Sequence, residues 1–241
     1  MFSSQIKRNP MSSFGSYGVR ILMRNTFRAI AFAGAVCPAM VLADGADLTI
    51  TGTIIPTSCT PAFSGGNTVH LGDITAASLN RDRQTELQNR NLTLSISCSA
   101  SAPMAIKVHD NQAHTQRPGT VVDGTSWAMY IYGIGEVAGK KIGGYGLRFG
   151  APVVDGEPSL VMYKQGDAAN WELPATATLL GKNYESNLRY SWGKSTAAGP
   201  LPGVVHSFPI TLVPVIGPAD DLPITNEIAL NGSATFELLY L

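Results

Sequence analysis

The chain has 241 residues, 44% of them apolar and only 14% charged, with 25 Gly, 15 Pro and a formal net charge of zero. That balance excludes a disordered or coiled-coil chain and points to a turn-rich globular one of one or two domains. The zero hides an asymmetry: residues 1–43 carry five of the 17 Lys and Arg and no acidic residue, leaving 12 basic and 17 acidic groups in residues 44–241. Such a balance lacks the cation surplus that nucleic-acid binding needs.

At the amino terminus, Arg24 and Arg28 precede an apolar run at 29–35, and Val41-Leu42-Ala43 has the small-residue pattern of a cleavage site. Together these are the parts of an export signal, and the run is too short to span a bilayer. Residues 1–43 are therefore read as a signal peptide, with Met23 as an alternative start. Residues 44–241 are read as one exported domain with no transmembrane segment after cleavage. Cys37 invites a lipoprotein reading, but Val36 stands where a small residue is wanted and Pro38 follows. Removal of Cys37 leaves Cys59 and Cys98, and an isolated pair in an exported chain reads as one disulfide.

Leu48 and Ile50 alternate with Thr49 and Thr51, which predicts a strand limited by Pro56. Residues 61–67 read as loop, 69–72 as a short strand or turn, and 75–91 as a polar helical turn or loop. Leu92, Leu94 and Ile96 alternate up to Cys98, and 105–109 is a further strand. At 127–132 alternating apolar residues predict another, with Trp127 in the core, as is Trp192. Six glycines make 133–146 turn-rich, with 147–149 a short strand. Residues 160–163, 188–192 and 204–215 follow as strands, the last interrupted by Pro209 and Pro214; 195–203 and 220–226 read as loop and turn. Ala234, Phe236, Leu238 and Tyr240 alternate with Thr235, Glu237 and Leu239 in a terminal strand. Its apolar side needs a cover, from its own domain or from another protein. Short strands at this spacing, without a 3.6-residue period after the signal, predict an all-β sandwich or barrel.

Chemistry-bearing groupings are scarce. There is no Gly-x-Ser-x-Gly elbow, and His109 and His114 lie five apart in a polar segment. The stretch Gly133-Ile-Gly-Glu-Val-Ala-Gly-Lys-Lys141 fails the spacings of both phosphate-loop fingerprints and reads as a hairpin turn. Asp220-Asp221, between Pro218 and Pro223, reads as an exposed turn. No catalytic set, metal site or cofactor is expected. Trp171, in the polar stretch 166–172, is the candidate for stacking on a sugar ring, against the simpler reading of an aromatic lid over the core.

Gly52-x-Ile54 before Cys59, Val69-x-Leu71-Gly72, and Cys98 closing an alternating strand resemble the first third of chaperone–usher pilus subunits. Gly232, Phe236 and the penultimate Tyr240 resemble that family's terminal strand. Ser191-Trp-Gly, Phe208-Pro-Ile and the stretch 230–238 are similar to an uncharacterised branch of exported bacterial proteins. Its members are often encoded beside fimbrial chaperone genes, and one belongs to a glutamate synthase operon. The resemblance implies an immunoglobulin-like β-sandwich of the pilin type, incomplete and completed by a donor strand. It implies a structural or adhesive subunit of a surface fimbria, in transit through the periplasm. The partners would be a periplasmic fimbrial chaperone, an usher, other fimbrial subunits and a glycan receptor. Ala234, Phe236, Leu238 and Tyr240 would meet the chaperone and donor strand, and Leu48 and Ile50 would belong to this chain's own donor segment. Asn231-Gly232 also suits a two-residue hairpin turn, which would make 224–230 the partner of the terminal strand. The alternative is then a self-complete periplasmic binding or regulatory protein, glycan-binding, that shares the fold.

Overall fold

A computed structural model describes residues 48–54, 56–174, 178–183 and 187–241. The chain divides into two units, Met1–Gly52 and Thr53–Leu241. The signal peptide lies outside the described residues. In the first unit, Leu48 and Ile50 are 86% and 87% exposed and form no strand, contrary to the expectation from their alternation. Alternation alone does not make a strand where no neighbour accepts its backbone bonds.

The second unit is all-β. Its strands begin with β1 (Cys59–Phe63), β2 (Thr85–Glu86), β3 (Arg90–Ala102), β4 (Met104–Asp110) and β5 (Tyr132–Gly133). There follow β6 (Glu136–Val137), β7 (Lys140–Lys141), β8 (Gly143–Phe149), β9 (Val153–Val154) and β10 (Glu157–Pro158). Last come β11 (Leu160–Lys164), β12 (Arg189–Gly193), β13 (Gly203–Ile216) and β14 (Ala234–Tyr240). A larger antiparallel sheet runs β1-β3-β13-β8-β5, extended by β2, β9 and β10, and a smaller one runs β11-β12-β4-β14. Among the described residues the remaining regular pieces are single 3-10 turns, and no helix is long and apolar enough to cross a membrane.

The sandwich forms because the inward residues of both sheets share one core. Leu94 and Ile96 of β3 and Phe208 and Ile210 of β13 meet Met104, Ile106 and Val108 of β4 and Tyr190 and Trp192 of β12. Pro103 turns the chain from β3 in one sheet to β4 in the other. At the centre Trp192 is 1% exposed; its Nε1 donates to His206 Nδ1 at 2.9 Å, and its ring lies 5.1 Å from Phe208. An accepting Nδ1 leaves the proton on Nε2, which donates to the Gly203 carbonyl at 3.0 Å. Burial holds the His206 pKa below the ordinary imidazole value.

β13 is continuous through both prolines, and the ladder explains how. The Pro209 carbonyl accepts from Gly150, so its missing N–H faces the flank where partners change from β9, at Ser207, to β8, at Ile210. The Pro214 carbonyl accepts from Leu87, so its missing N–H faces the flank where β3 ends opposite Leu212 and β2 begins opposite Val215. Each proline sits at a seam between two partner strands, where the ladder needs no donor.

Three further expectations are corrected. Residues 61–63 belong to β1, an edge strand in which Pro61 is tolerated. Glycines 143, 144 and 146 form the buried strand β8 rather than a turn: a Cβ at Gly144 or Gly146 would lie 2.7 Å from Ile131 or Val122, which pack on the sheet's outer face. Residues 127–130 make a 3-10 turn, leaving Trp127 68% exposed with its ring stacked near Tyr130. The stretch that resembles a phosphate loop is the β6–β7 hairpin, with Ala138 and Gly139 at φ 47° and 73°.

Candidate functional site

Cys59 and Cys98 face each other in the β1–β3 register and are bonded as a disulfide. This bond anchors β1, whose other edge has no partner strand among the described residues. In the smaller sheet β14 holds the equivalent position. It pairs with β4 from Ala234↔Asp110 to Tyr240↔Met104, and its far edge is likewise unpaired among the described residues.

Residues 224–230, the alternative partner of β14, form no strand. Ile228 and Leu230 pack against the core, and Asn231 N–H donates to the Ile134 carbonyl at 2.8 Å. Neither Asn231 nor Gly232 has a positive φ, so they do not form a primed hairpin turn. Gly232 instead lets Tyr145 approach, since a Cβ there would stand 2.9 Å from its ring.

Between β14 and β1 opens a cleft of about 1050 Å³. Leu92, Leu147 and Leu212 line it from the larger sheet, with Phe63 and the strandless residues 66–74 on one side and residues 226–234 and Phe236 on the other. Ala234 and Phe236 are half-buried on its flank, Leu238 is half-buried against the core, and Thr235 and Glu237 are exposed. Phe63 and Phe236 meet edge to face with ring centres 5.1 Å apart. Tyr240 departs from its three partners: it is 53% exposed, and its Oη accepts from Cys59 N–H at 2.7 Å. The titratable groups lining the cleft include His70, Asp73 and Glu227 at exposed positions and the buried Tyr145, whose phenol pKa is raised by burial. No hydrogen bond joins any two of them among the described residues. The cleft has the apolar floor and free strand edges that take an extended chain, and no nucleophile–base pair.

The remaining residues singled out from the sequence lie elsewhere. His109 Nε2 contacts Glu237 Oε2 at 2.8 Å on the outer face of the smaller sheet. Asp220 and Asp221 pair with Arg81 and Arg117. Trp171 is half-buried and lines a second cleft, of about 480 Å³, where the Lys164 ammonium lies 5.3 Å from the centre of its ring. The sequence does not place Phe63 and residues 66–74 beside the terminal strand, because nothing local marks them as its neighbours.

Residues 48–146 match the model of a family described as a protein of unknown function (DUF1120). No curated protein matches the chain.

Proposed function

We propose that the chain is a structural or adhesive subunit of a chaperone–usher type surface fimbria, assembled by strand addition at the cleft beside β14. One observation carries this reading: the edge of the terminal strand, unpaired among the described residues, borders a cleft of about 1050 Å³ that is floored by Leu92, Leu147 and Leu212 and rimmed by polar residues such as Asn67, Asn226 and Ser233. Free backbone groups along an edge give affinity to an added strand, and hollows for alternate side chains select its sequence. In this reading the signal is cleaved after Ala43 on export. A periplasmic chaperone covers the edge first, and the usher then exchanges it for another subunit's segment. The stretch around Leu48 and Ile50 is the corresponding donor, its apolar residues alternating and exposed. The chain has no catalytic turnover of its own.

A second reading is a self-complete periplasmic binding or regulatory protein. The Phe63–Phe236 and Cys59–Tyr240 contacts favour it, because they already tie the two free edges together. Expression of the mature chain in the periplasm, with and without a fimbrial chaperone, separates the two. The first reading expects aggregation or degradation alone and recovery as a complex. Recovery alone as a stable monomer, with a melting temperature unmoved by an alternating apolar donor peptide, overturns it.

A further inference from the structure

The register of the smaller sheet places three cations in one row. Lys164 pairs with Arg189 across β11 and β12. One step beyond Tyr190↔Ile106, the β12–β4 ladder sets Arg189 beside Lys107, and Lys107 pairs with Glu237 of β14. Their sequence neighbours Tyr163, Tyr190, Ile106 and Leu238 belong to the core or pack against it, so the cations share the outer face. Adjacent strands stand about 4.8 Å apart, and like charges directly opposite one another are destabilising. Among the described residues none of the three makes an ion pair. The nearby carboxylates are engaged elsewhere, Glu237 with His109 and Glu172 with the Tyr163 hydroxyl at 2.7 Å.

These cations line the second cleft, of about 480 Å³, together with Trp171, Pro200 and Leu239. The next row inward, Met162, Ser191 and Ala105, is completely buried, and the Gly199 carbonyl lies against Gly193 beside it. The cleft therefore has a cationic floor along one side and apolar rims along the other. The fold offsets this arrangement only in part, through the Lys164 ammonium near the Trp171 ring and Glu237 opposite Lys107, and such a remainder of charge is expected where a ligand supplies the counter-charge.

We infer that this cleft binds an acidic saccharide, with carboxylate or sulfate groups on Lys107, Arg189 and Lys164 and C–H faces on Trp171 and Leu239. A saccharide fits because it combines anionic groups with apolar faces, and the volume lies within the range of small-ligand sites. The excess of acidic over basic groups in residues 44–241 disfavours a long polyanion, which would need cations well beyond the row. The inference does not rest on strand addition, since the row lies on the face turned away from the β14 cleft.

The test is calorimetric titration of the mature chain with polyuronate oligosaccharides, sulfated oligosaccharides and a neutral oligosaccharide of equal length, at low and physiological ionic strength. Acidic probes should bind, more weakly as salt rises, and the neutral probe should not. Lys107→Gln and Arg189→Gln should each weaken binding about tenfold, the loss expected for one charge-assisted contact. Both variants should leave chaperone capture unchanged and should not lower the melting temperature, since each removes a like-charge repulsion. Phe236→Ala, in the other cleft, should leave saccharide binding intact. Equal binding of the neutral probe, no binding of either acidic probe, or variants that bind like the parent would overturn the inference.

Discussion

Phe63 and Phe236 meet edge to face with ring centres 5.1 Å apart, one from the edge strand of each sheet. This contact spans the side on which neither edge has a partner strand among the described residues, so it bears on both stability and assembly. Phe236 is only half-buried, and Phe236→Ala should cost about 1–2 kcal/mol, below the cost of emptying a sealed core site. Chemical denaturation of the mature domain measures that loss. If the proposed function holds, the same variant also weakens chaperone capture.

Cys59 N–H donates to Tyr240 Oη at an exposed site. Tyr240→Phe keeps the ring and removes the acceptor, so stability should fall by about 0.5–1 kcal/mol. The Cys59 amide should exchange faster with solvent, while the Cys59–Cys98 bond still forms.

The disulfide closes a loop of sequence separation 39 and fastens the outermost strand of the larger sheet. Replacing both cysteines by alanine should destabilise the domain by roughly 4 kcal/mol on the loop-closure account. Native material cleaved after Ala43 should show no titratable thiol, and thiol counting before and after reduction checks this.

His206 couples the core to pH. Its folded pKa lies below the ordinary value of about 6.5 because burial disfavours the imidazolium, while the unfolded chain takes up a proton normally. The stability it contributes is therefore complete above about pH 6.5 and is lost as pH falls through that value toward the lower folded pKa. Melting temperature measured from pH 7.5 downward should drop over this window. His206→Gln, which can still accept from Trp192 Nε1 and does not titrate, should flatten this component of the profile.

Lys182 and Asp110 have side chains 2% and 1% exposed, with Nζ 3.2 Å from Oδ2. The ammonium also donates to Gln116 Oε1 and the Ile131 carbonyl, and the carboxylate accepts from Gly133 and Gln112. Lys182→Met strands a buried carboxylate and should cost about 3–5 kcal/mol, whereas Lys182→Met with Asp110→Asn should recover part of it. A denaturation cycle over the single and double variants reads the coupling.

Much of the sandwich was legible before any coordinates. Alternation picked out the cores of β3 and β14, because period two is a property of a few consecutive residues, and short apolar runs marked β4, β11, β12 and β13. Two cysteines left after a signal-like segment pointed to one bond. Locality also explains the failures. Glycines 143–146 looked like turn material, since nothing nearby says that Ile131 and Val122 fill the space their missing side chains leave. Trp127 looked like core, since nothing in an apolar stretch reveals a 3-10 turn that swings it outward.

By itself, then, the order of residues determined the all-β class and the alternation of the terminal strand. Its cysteines foretold the disulfide. Tertiary structure alone decided that Phe63 and residues 66–74 stand across a cleft from that strand, and that Lys107, Arg189 and Lys164 form one row. The reason is register. A strand's own pattern says which residues share a face, but the pairing of strands distant in sequence says which of them become neighbours across it.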